Sequence, residues 1–346
     1  MTYSKKINRL LKPKKKFVVK VLDLFSGCGG LSLGFEALGF ETFGYEMNGD
    51  AVSSYNKNLL GNCTKIQLTT DFHFPKANII IGGPPCQPFS LSGKQTGSKD
   101  SRNGFPIFIE AVRQVKPKVF VLENVTGLAY SNKCYLESII SELQNIGYLL
   151  ECHIINAVNY GIPQKRERLV IVGHKSKFNW PAPSINQVSV FDAIGELMYN
   201  TDGNSKFLTE SMNIYIAKYE KASACTTPRD LHPNKPARTL TCKNLSGATG
   251  DMQRILLQDG RRRRLTIREA ARLQSFPDWF QFQGSEASQF NQIGNAVPPL
   301  LSYQIANEVY QTYLRRAKSK KEIQKINDKK EQTTINSFKL KIKKVA

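Results

Sequence analysis

The sequence predicts an α/β protein in which a mostly parallel sheet, covered by helices on both faces, is joined to a smaller irregular domain. Three observations lead there. From Phe17 short, nearly continuous apolar runs alternate with amphipathic stretches, the pattern of strands buried on both faces and separated by helices. That rhythm stops at His174. The chain from Lys175 to about Gly260 is instead richer in Asn, Ser, Thr and Pro and has no clear helical period.

The elements follow in order. Val18–Phe25 reads as a strand, Leu31–Leu38 as a helix, Glu41–Glu46 as a strand and Asp50–Asn58 as a helix. Asn78–Gly82 is a compact apolar strand, followed by a helix over Ile107–Val115, a strand at Lys118–Leu122 and a helix around Tyr135–Ile146. Strands near Leu149–Ile155 and Leu169–Gly173 complete the sheet. Beyond the irregular stretch, Thr266–Gln274 predicts a helix with Thr266 as N-cap and Glu269 at the third position, a capping box. An amphipathic helix covers about Leu300 to Leu314. In such sheets ligands bind at the carboxyl ends of the strands, so the chemistry is expected there.

Length and composition narrow the function classes. The 346 residues suffice for one large domain or two modest ones, and 40% hydrophobic with 22% charged residues excludes a disordered or fibrous chain. The net charge of +21 suits a polyanionic partner, with nucleic acid ahead of an anionic membrane surface. Residues 1–20 hold eight basic and no acidic residues, and residues 315–346 hold twelve basic against three acidic. Most of the excess therefore sits in two Lys-rich ends, predicted to be flexible arms, and the body is only mildly basic. No apolar segment has signal-peptide or membrane-spanning character, which predicts a cytoplasmic protein without membrane contact. Seven cysteines without a Cys-x-x-Cys pair and four histidines without ligand spacing predict reduced thiols and no metal.

Four motifs carry candidate chemistry. Asp23-Leu-Phe-Ser-Gly-Cys-Gly-Gly30 ends a strand and opens a helix, with Gly27 and Gly29 permitting close backbone approach to a ligand. Glu46, at the end of the next strand, is placed to accept from ribose hydroxyls, and Asp71, closing the strand after that, to take an adenine amino group. The cradle thus suits an adenosine-containing cofactor. Gly82-Gly-Pro-Pro-Cys-Gln-Pro-Phe-Ser90 follows an apolar strand and holds the Cys86 thiol between prolines on a stiff loop. A lone cysteine is usually a buried small hydrophobe, the reading kept for the other six; a rigid proline frame marks Cys86 as a nucleophile instead. Glu123-Asn-Val125 puts a carboxylate at the end of another strand, and Gln164-Lys-Arg-Glu-Arg168, if extended, turns 164, 166 and 168 to one side. Cys86, Glu123, Arg166 and Arg168 together form a nucleophile, a proton donor and an anion-stabilising pair.

These segments, with Arg264-Leu-Thr-Ile-Arg-Glu-Ala-Ala-Arg-Leu-Gln-Ser-Phe-Pro-Asp278 and Gln292-Ile-Gly-Asn-Ala-Val-Pro-Pro299, occur in the order of the DNA (cytosine-5) methyltransferases. Over about Val18 to Leu314 the chain resembles that family, especially its bacterial and phage restriction-modification members. The resemblance implies a Rossmann-like, S-adenosylmethionine-dependent catalytic domain over 17–175 and 288–314 and a target-recognition domain over 176–287. A basic N-terminal arm, 1–16, and a basic C-terminal tail, 315–346, flank them. It implies that Cys86 adds to carbon 6 of a flipped cytosine, that Glu123 protonates ring nitrogen 3, and that Arg168, supported by Arg166, holds the base. For the cofactor it implies Phe25, Met47 and Phe72 against the adenine, Glu46 on the ribose, Asp71 on the amino group, Gly27 and Gly29 near the methionine moiety, and Asn295 closing the site.

The implied partner is double-stranded DNA, read by a monomer, with a cognate restriction endonuclease acting on the same site. In the recognition domain Arg238-Thr239-Leu240 matches the family's Thr-Leu segment. Arg261, Arg262 and Arg263 are either phosphate-positioning side chains or part of a solvated turn. Two departures stand out: the Asp100–Glu110 segment is two residues longer than the family's and contains Pro106, and Thr70 replaces the glycine before Asp71. The alternatives are a tRNA cytosine-5 methyltransferase of the same fold and a catalytically idle DNA-binding protein. The tRNA-modifying relatives usually carry a Cys-Phe-Thr signature that this chain lacks.

Overall fold

The computed structural model describes residues 1–85, 103–184, 186–201, 205–222, 229–247 and 249–312. Seven strands form the central sheet: β1 (Lys20–Leu24), β2 (Glu41–Glu46), β3 (Asn62–Lys65), β4 (Ile79–Gly82), β5 (Val119–Val125), β6 (Leu149–Asn156) and β7 (Glu167–His174). Their spatial order is β3-β2-β1-β4-β5-β7-β6. The pairings from β3 to β5 are parallel, and β7 alone runs against its neighbours.

The strands are apolar throughout because both faces are covered, and period-2 alternation divides their side chains between two cores. Val21, Ile79, Ile81, Val119, Val121, Val170 and Val172 face one core, while Leu22, Leu24, Ile80, Phe120, Leu122, Leu169 and Ile171 face the other. The first core is closed by α2 (Gly30–Leu38) and by a helix over 299–312 that returns from the far end of the chain. These two approach so closely that a Cβ on Gly34 would lie 2.3 Å from the Tyr303 backbone nitrogen. The second core is closed by α4 (Phe105–Val115) and α6 (Lys133–Asn145), with the short α5 (Gly127–Tyr130) leading into the latter. Pro106 sits in the first turn of α4, where its missing N–H has no helical partner to lose. α3 (Gly49–Asn58) links β2 to β3 and is capped by Asn48.

The strand order reverses between β1 and β4. Their carboxyl ends, Phe25–Gly29 and Gly83–Pro85, therefore diverge around one crevice, the expected ligand site of an open α/β sheet.

The second region is more regular than its composition suggests. It contains α7 (Val190–Met198) and α8 (Glu210–Ala222), the short α9 (Cys242–Ser246), a hairpin of β8 (Arg254–Leu256) and β9 (Arg262–Arg264), then α10 (Ile267–Leu273), after which α11 (Glu286–Asn295) leads the chain back to the sheet domain. The capping box of Thr266 and Glu269 is present as predicted. Val190, Ile194, Leu240, Ile255 and Leu273 join the first sheet core, so most of this region shares that core. Leu208, Ile216 and Met252 form a small separate cluster.

One expectation about the ends is overturned. The N-terminal arm is in part α1 (Tyr3–Leu10), a helix that buries Tyr3, Ile7 and Leu11. Asn8 ties it down, donating to Asp278 (2.8 Å) and accepting from the Trp279 indole through its carbonyl (3.1 Å). The Lys-rich composition had hidden an i, i+4 apolar pair. The tail 315–346 lies outside the described residues, as do residues 313–314 of the predicted last helix. Among the described residues no helix is long and apolar enough to cross a membrane, and no cluster of metal-ligating side chains occurs.

Candidate active site

The crevice is built where three strand ends meet. Gly82 pairs with both Leu24 and Leu122, and a Cβ there would lie 2.5 Å from the Leu24 carbonyl oxygen, so glycine is what lets β1 and β4 close up. The chain then runs through Gly83-Pro84-Pro85 beside β5. Asn124 Nδ2 donates to the Pro84 carbonyl (2.8 Å), and the Gly104 N–H donates to that of Pro85 (3.0 Å). The lead-in to Cys86 is thus pinned at both its first prolines, while Cys86 itself lies outside the described residues.

Glu123 lies inside β5 rather than after it, because the strand continues through Val125. It is opposite Val170 on antiparallel β7, and Arg168 is opposite Val125. Residues 123 and 125 share a face, which makes Glu123 and Arg168 diagonal neighbours, close enough for long side chains to meet. They do meet: Arg168 Nε is 3.1 Å from Glu123 Oε1, with both side chains largely buried. Burial pulls the Arg168 guanidinium below its ordinary value and Glu123 pulls it back. A guanidinium keeps its charge under such pressure, so Arg168 is a fixed cation beside the Glu123 carboxyl group.

The predicted one-sided alternation of 164, 166 and 168 is correct, since all three turn inward while Lys165 and Glu167 are exposed. Arg166, however, is fully buried and spent on carbonyls: it donates to Leu240 (2.8 Å), Gly294 (3.1 Å) and Ala296 (3.1 Å). It clamps the second region to the sheet and does not sit beside Glu123 as a second base-holding cation. Desolvation pushes it well down, with the Arg168 charge adding to the effect.

On the β1 side, Phe25, Gly27 and Gly29 all adopt positive φ. Phe25 at +59° is the unusual one, since a bulky side chain disfavours that region. Gly29 caps α2, and a Cβ on it would lie 2.7 Å from the Tyr55 ring. A Cβ on Gly27 would meet nothing within 4 Å among the described residues, so that backbone borders open space. Glu46 holds the loop, accepting from the backbone N–H of Gly27 (3.0 Å) and of Asn48 (2.8 Å). Each carboxylate oxygen keeps a lone pair for a hydroxyl. Met47 beyond it is exposed. Asp71 does not close a strand: β3 ends at Lys65, and Asp71 lies six residues on in an exposed turn, its carboxyl lowered chiefly by a hydrogen bond from Thr69. Phe72 beside it packs edge-on against Tyr45 and Phe74. Asn295 ends α11, exposed, and accepts from the Cys242 thiol (3.0 Å).

Residues 19–311 match the family described as C-5 cytosine-specific DNA methylase. The chain belongs to that family. It is 54% identical over 299 residues to the type II methyltransferase M.AplI of Arthrospira platensis, covering 84% of this chain and 86% of that one. To M1.HphI of Haemophilus parahaemolyticus it is 37% identical over 319 residues, covering 83% and 86%. Among solved structures it resembles the Dnmt2 methyltransferase of S. pombe, with a TM-score of 0.67, 19% identity and coverage of 85% and 99%, a likeness of fold. The enzyme is accordingly a DNA cytosine-5 methyltransferase with the Rossmann-like α/β fold of its class.

In this methylase the side chains expected to meet DNA divide sharply by burial. Leu240 is fully buried, its N–H donating to Gln164 Oε1 (2.8 Å), so it can only shape the loop. Thr239 donates its hydroxyl to the Lys165 carbonyl (2.7 Å). Arg238 is partly exposed near Asp251. Arg263 is buried against Glu269 (2.6 and 2.9 Å) and the Leu197 and Met198 carbonyls, which removes it from any phosphate. Arg262 is held by Asp230 (3.1 Å), and Arg261 is exposed, paired with Asp259 and stacked over Phe207. The basic run looked uniform because a β-hairpin's alternation is invisible in four identical letters.

The sequence reading also missed residues that position the site. Asn124 pins the Pro84 loop and stood unremarked inside its motif, and Gln164, placed on the inward side by its spacing, was given no role although it pins the Thr239–Leu240 loop. Of the remaining cysteines, Cys28 and Cys63 are buried, with thiols pushed up to about 12 by desolvation, whereas Cys134 and Cys152 are exposed. The last two sit on the polar faces of α6 and edge strand β6, where an amphipathic pattern leaves room for any small residue.

Proposed function

We propose that the chain methylates carbon 5 of a flipped cytosine in a specific duplex sequence, using S-adenosylmethionine, and so protects DNA from a cognate restriction endonuclease. It does so as a cytoplasmic monomer. The observation that carries this reading is the Glu123–Arg168 pair, 3.1 Å apart, at the crevice beside the pinned Pro84–Pro85 lead-in to Cys86. Type II methyltransferases as relatives favour DNA over tRNA as substrate and a protective role.

The cofactor cradle is Phe25, Gly27, Gly29, Glu46, Met47, Asp71, Phe72 and Asn295, and the open space beside Gly27 fits a group lying against the backbone. Bound there, S-adenosylmethionine supplies an electrophilic methyl group. The Cys86 thiolate would bond to ring carbon 6 as the carbon 5–carbon 6 double bond opens and the Glu123 carboxyl gives its proton to ring nitrogen 3, making carbon 5 nucleophilic toward the methyl group, whose bond to sulfur breaks to leave S-adenosylhomocysteine. Loss of the carbon-5 proton to a base would then restore the ring double bond and expel the Cys86 thiolate, while the nitrogen-3 proton returns to Glu123. Arg168 fixes the Glu123 carboxyl and offers its remaining N–H groups to the cytosine. Carbon 6 is out of reach within a stacked duplex, hence the flipped base, at a cost of about a few kcal/mol. The second region, 176–287, reads the duplex, and of its predicted DNA-contacting arginines Arg238, Arg261 and Arg262 keep solvent access.

The test is methyl transfer from labelled S-adenosylmethionine to duplex DNA, with bisulfite sequencing of the product. Wild-type transfer abolished by Cys86→Ala is expected; transfer that survives it would sink the covalent mechanism, and label found only in tRNA would sink the substrate.

A further inference from the structure

We propose that Cys242 is a positioning residue for Asn295, so that the docked recognition region itself sets the fit of the cofactor pocket. The inference rests on the reading above, in which Asn295 closes that pocket. Cys242 stands at the first helical position of α9, where the Thr241–Asn244 capping box fixes the backbone that carries its thiol. From there Sγ donates to Asn295 Oδ1 at 3.0 Å, and the Asn291 carbonyl lies 3.5 Å away. Burial raises the Cys242 thiol, with the Arg166 charge acting in the opposite direction, so at neutral pH it remains an S–H donor. A donor at Oδ1 fixes the amide plane and leaves both Nδ2 hydrogens for an acceptor on a ligand.

The surrounding contacts make this alignment rigid. A Cβ on Gly294 would lie 2.4 Å from the Cys242 backbone nitrogen, so α9 and α11 touch backbone to backbone. Buried Arg166 binds the carbonyls on both sides of the contact, Leu240 before Cys242 and Gly294 and Ala296 around Asn295. Thr239, two residues before the capping box, is held by Asn244 and Gln253 through its carbonyl (2.8 and 3.1 Å). A side chain that orients an otherwise mobile amide contributes about one hydrogen bond to whatever the amide binds, roughly three- to tenfold in affinity.

The experiment is calorimetric titration of the full chain with S-adenosylhomocysteine, without DNA, alongside KM and kcat for S-adenosylmethionine. Cys242→Ala should weaken cofactor binding by about three- to tenfold and raise KM more than it lowers kcat, and Cys242→Ser, which keeps a donor, should recover most of that loss. Unchanged affinity in Cys242→Ala would overturn the proposal, as would a loss of duplex affinity equal to the loss of cofactor affinity, the mark of general loop damage. Asn295→Ala separates the proposal from its foundation: weakened binding there with none in Cys242→Ala refutes the positioning role alone, whereas no effect in Asn295→Ala removes Asn295 from the pocket and overturns both.

Discussion

Asp23 shows how much a single side chain near the crevice can govern. It is buried at the end of β1, accepts from Ser32 Oγ at 2.7 Å through Oδ2, and among the described residues has no partner for Oδ1. Ser32 continues through the Tyr55 hydroxyl (3.1 Å) and Thr42 (2.7 Å) to the buried Glu36 (2.6 Å), a hydrogen-bonded chain linking two carboxyls inside the fold. Burial, aided by the nearby Glu46 charge and opposed by Ser32, pushes the Asp23 carboxyl up to about 7. A carboxyl in the unfolded chain titrates at about 3.9. Between those values the folded state keeps a proton that the unfolded state has released. Its contribution to stability is therefore complete at low pH and fades as pH rises through about 7. Asp23→Asn should flatten this part of the pH profile of the unfolding midpoint; a variant that keeps the wild-type slope would show that Asp23 does not titrate there.

At the scale of elements, the β8–β9 hairpin and α10 are held together by charge that composition alone would assign to a surface. Arg263 and Glu269 are both buried and meet through two hydrogen bonds, while Glu269 also caps α10 through the Thr266 N–H (2.8 Å). Removing one partner of such a pair strands the other, at a cost of about 3–5 kcal/mol. Arg263→Met should lose stability on that scale in urea unfolding, whereas Arg261→Ala, whose ion pair is exposed, should lose less than about 1 kcal/mol. If Arg263→Met instead left stability intact and abolished duplex binding, the buried assignment would fail. The contrast explains what could be read in advance. The sheet strands were legible because two-sided burial writes long apolar runs, and the Thr266 helix because its cap is a fixed spacing. β3, with the letters Asn-Cys-Thr-Lys, is a polar edge strand with no such run, α8 and α11 have apolar residues interrupted by Asn, Ser or Tyr, and α7 is a nine-residue helix broken up by Asp192, Gly195 and Glu196. The site shows the same division: Glu123 could be placed by the strand before it, but the burial of Arg166, Leu240 and Arg263 depends on partners 65 to 130 residues distant.

Across the whole molecule the charge no longer belongs where the sequence first put it. The N-terminal basic segment is partly a docked helix whose Ile7 and Leu11 complete the first core, so its lysines are presented from a fixed position. The arginines of the second region are largely neutralised in place by Asp230, Glu220, Asp251, Asp259 and Glu269. What remains as unspent positive charge in the sequence lies at the two ends, eight basic and no acidic residues in 1–20 and twelve basic against three acidic in 315–346. Phosphate contacts made by such a segment release counterions and carry no base information. Deleting 315–346 should therefore weaken duplex binding at moderate salt and make the plot of log K against log salt shallower, by about 0.9 for each phosphate that the tail neutralises. The bisulfite-mapped sequence should be the same as for the full chain if base readout lies, as proposed, in region 176–287. A truncated enzyme with the original salt slope would place the DNA-binding charge on that body, and an altered methylation pattern would give the tail a part in recognition.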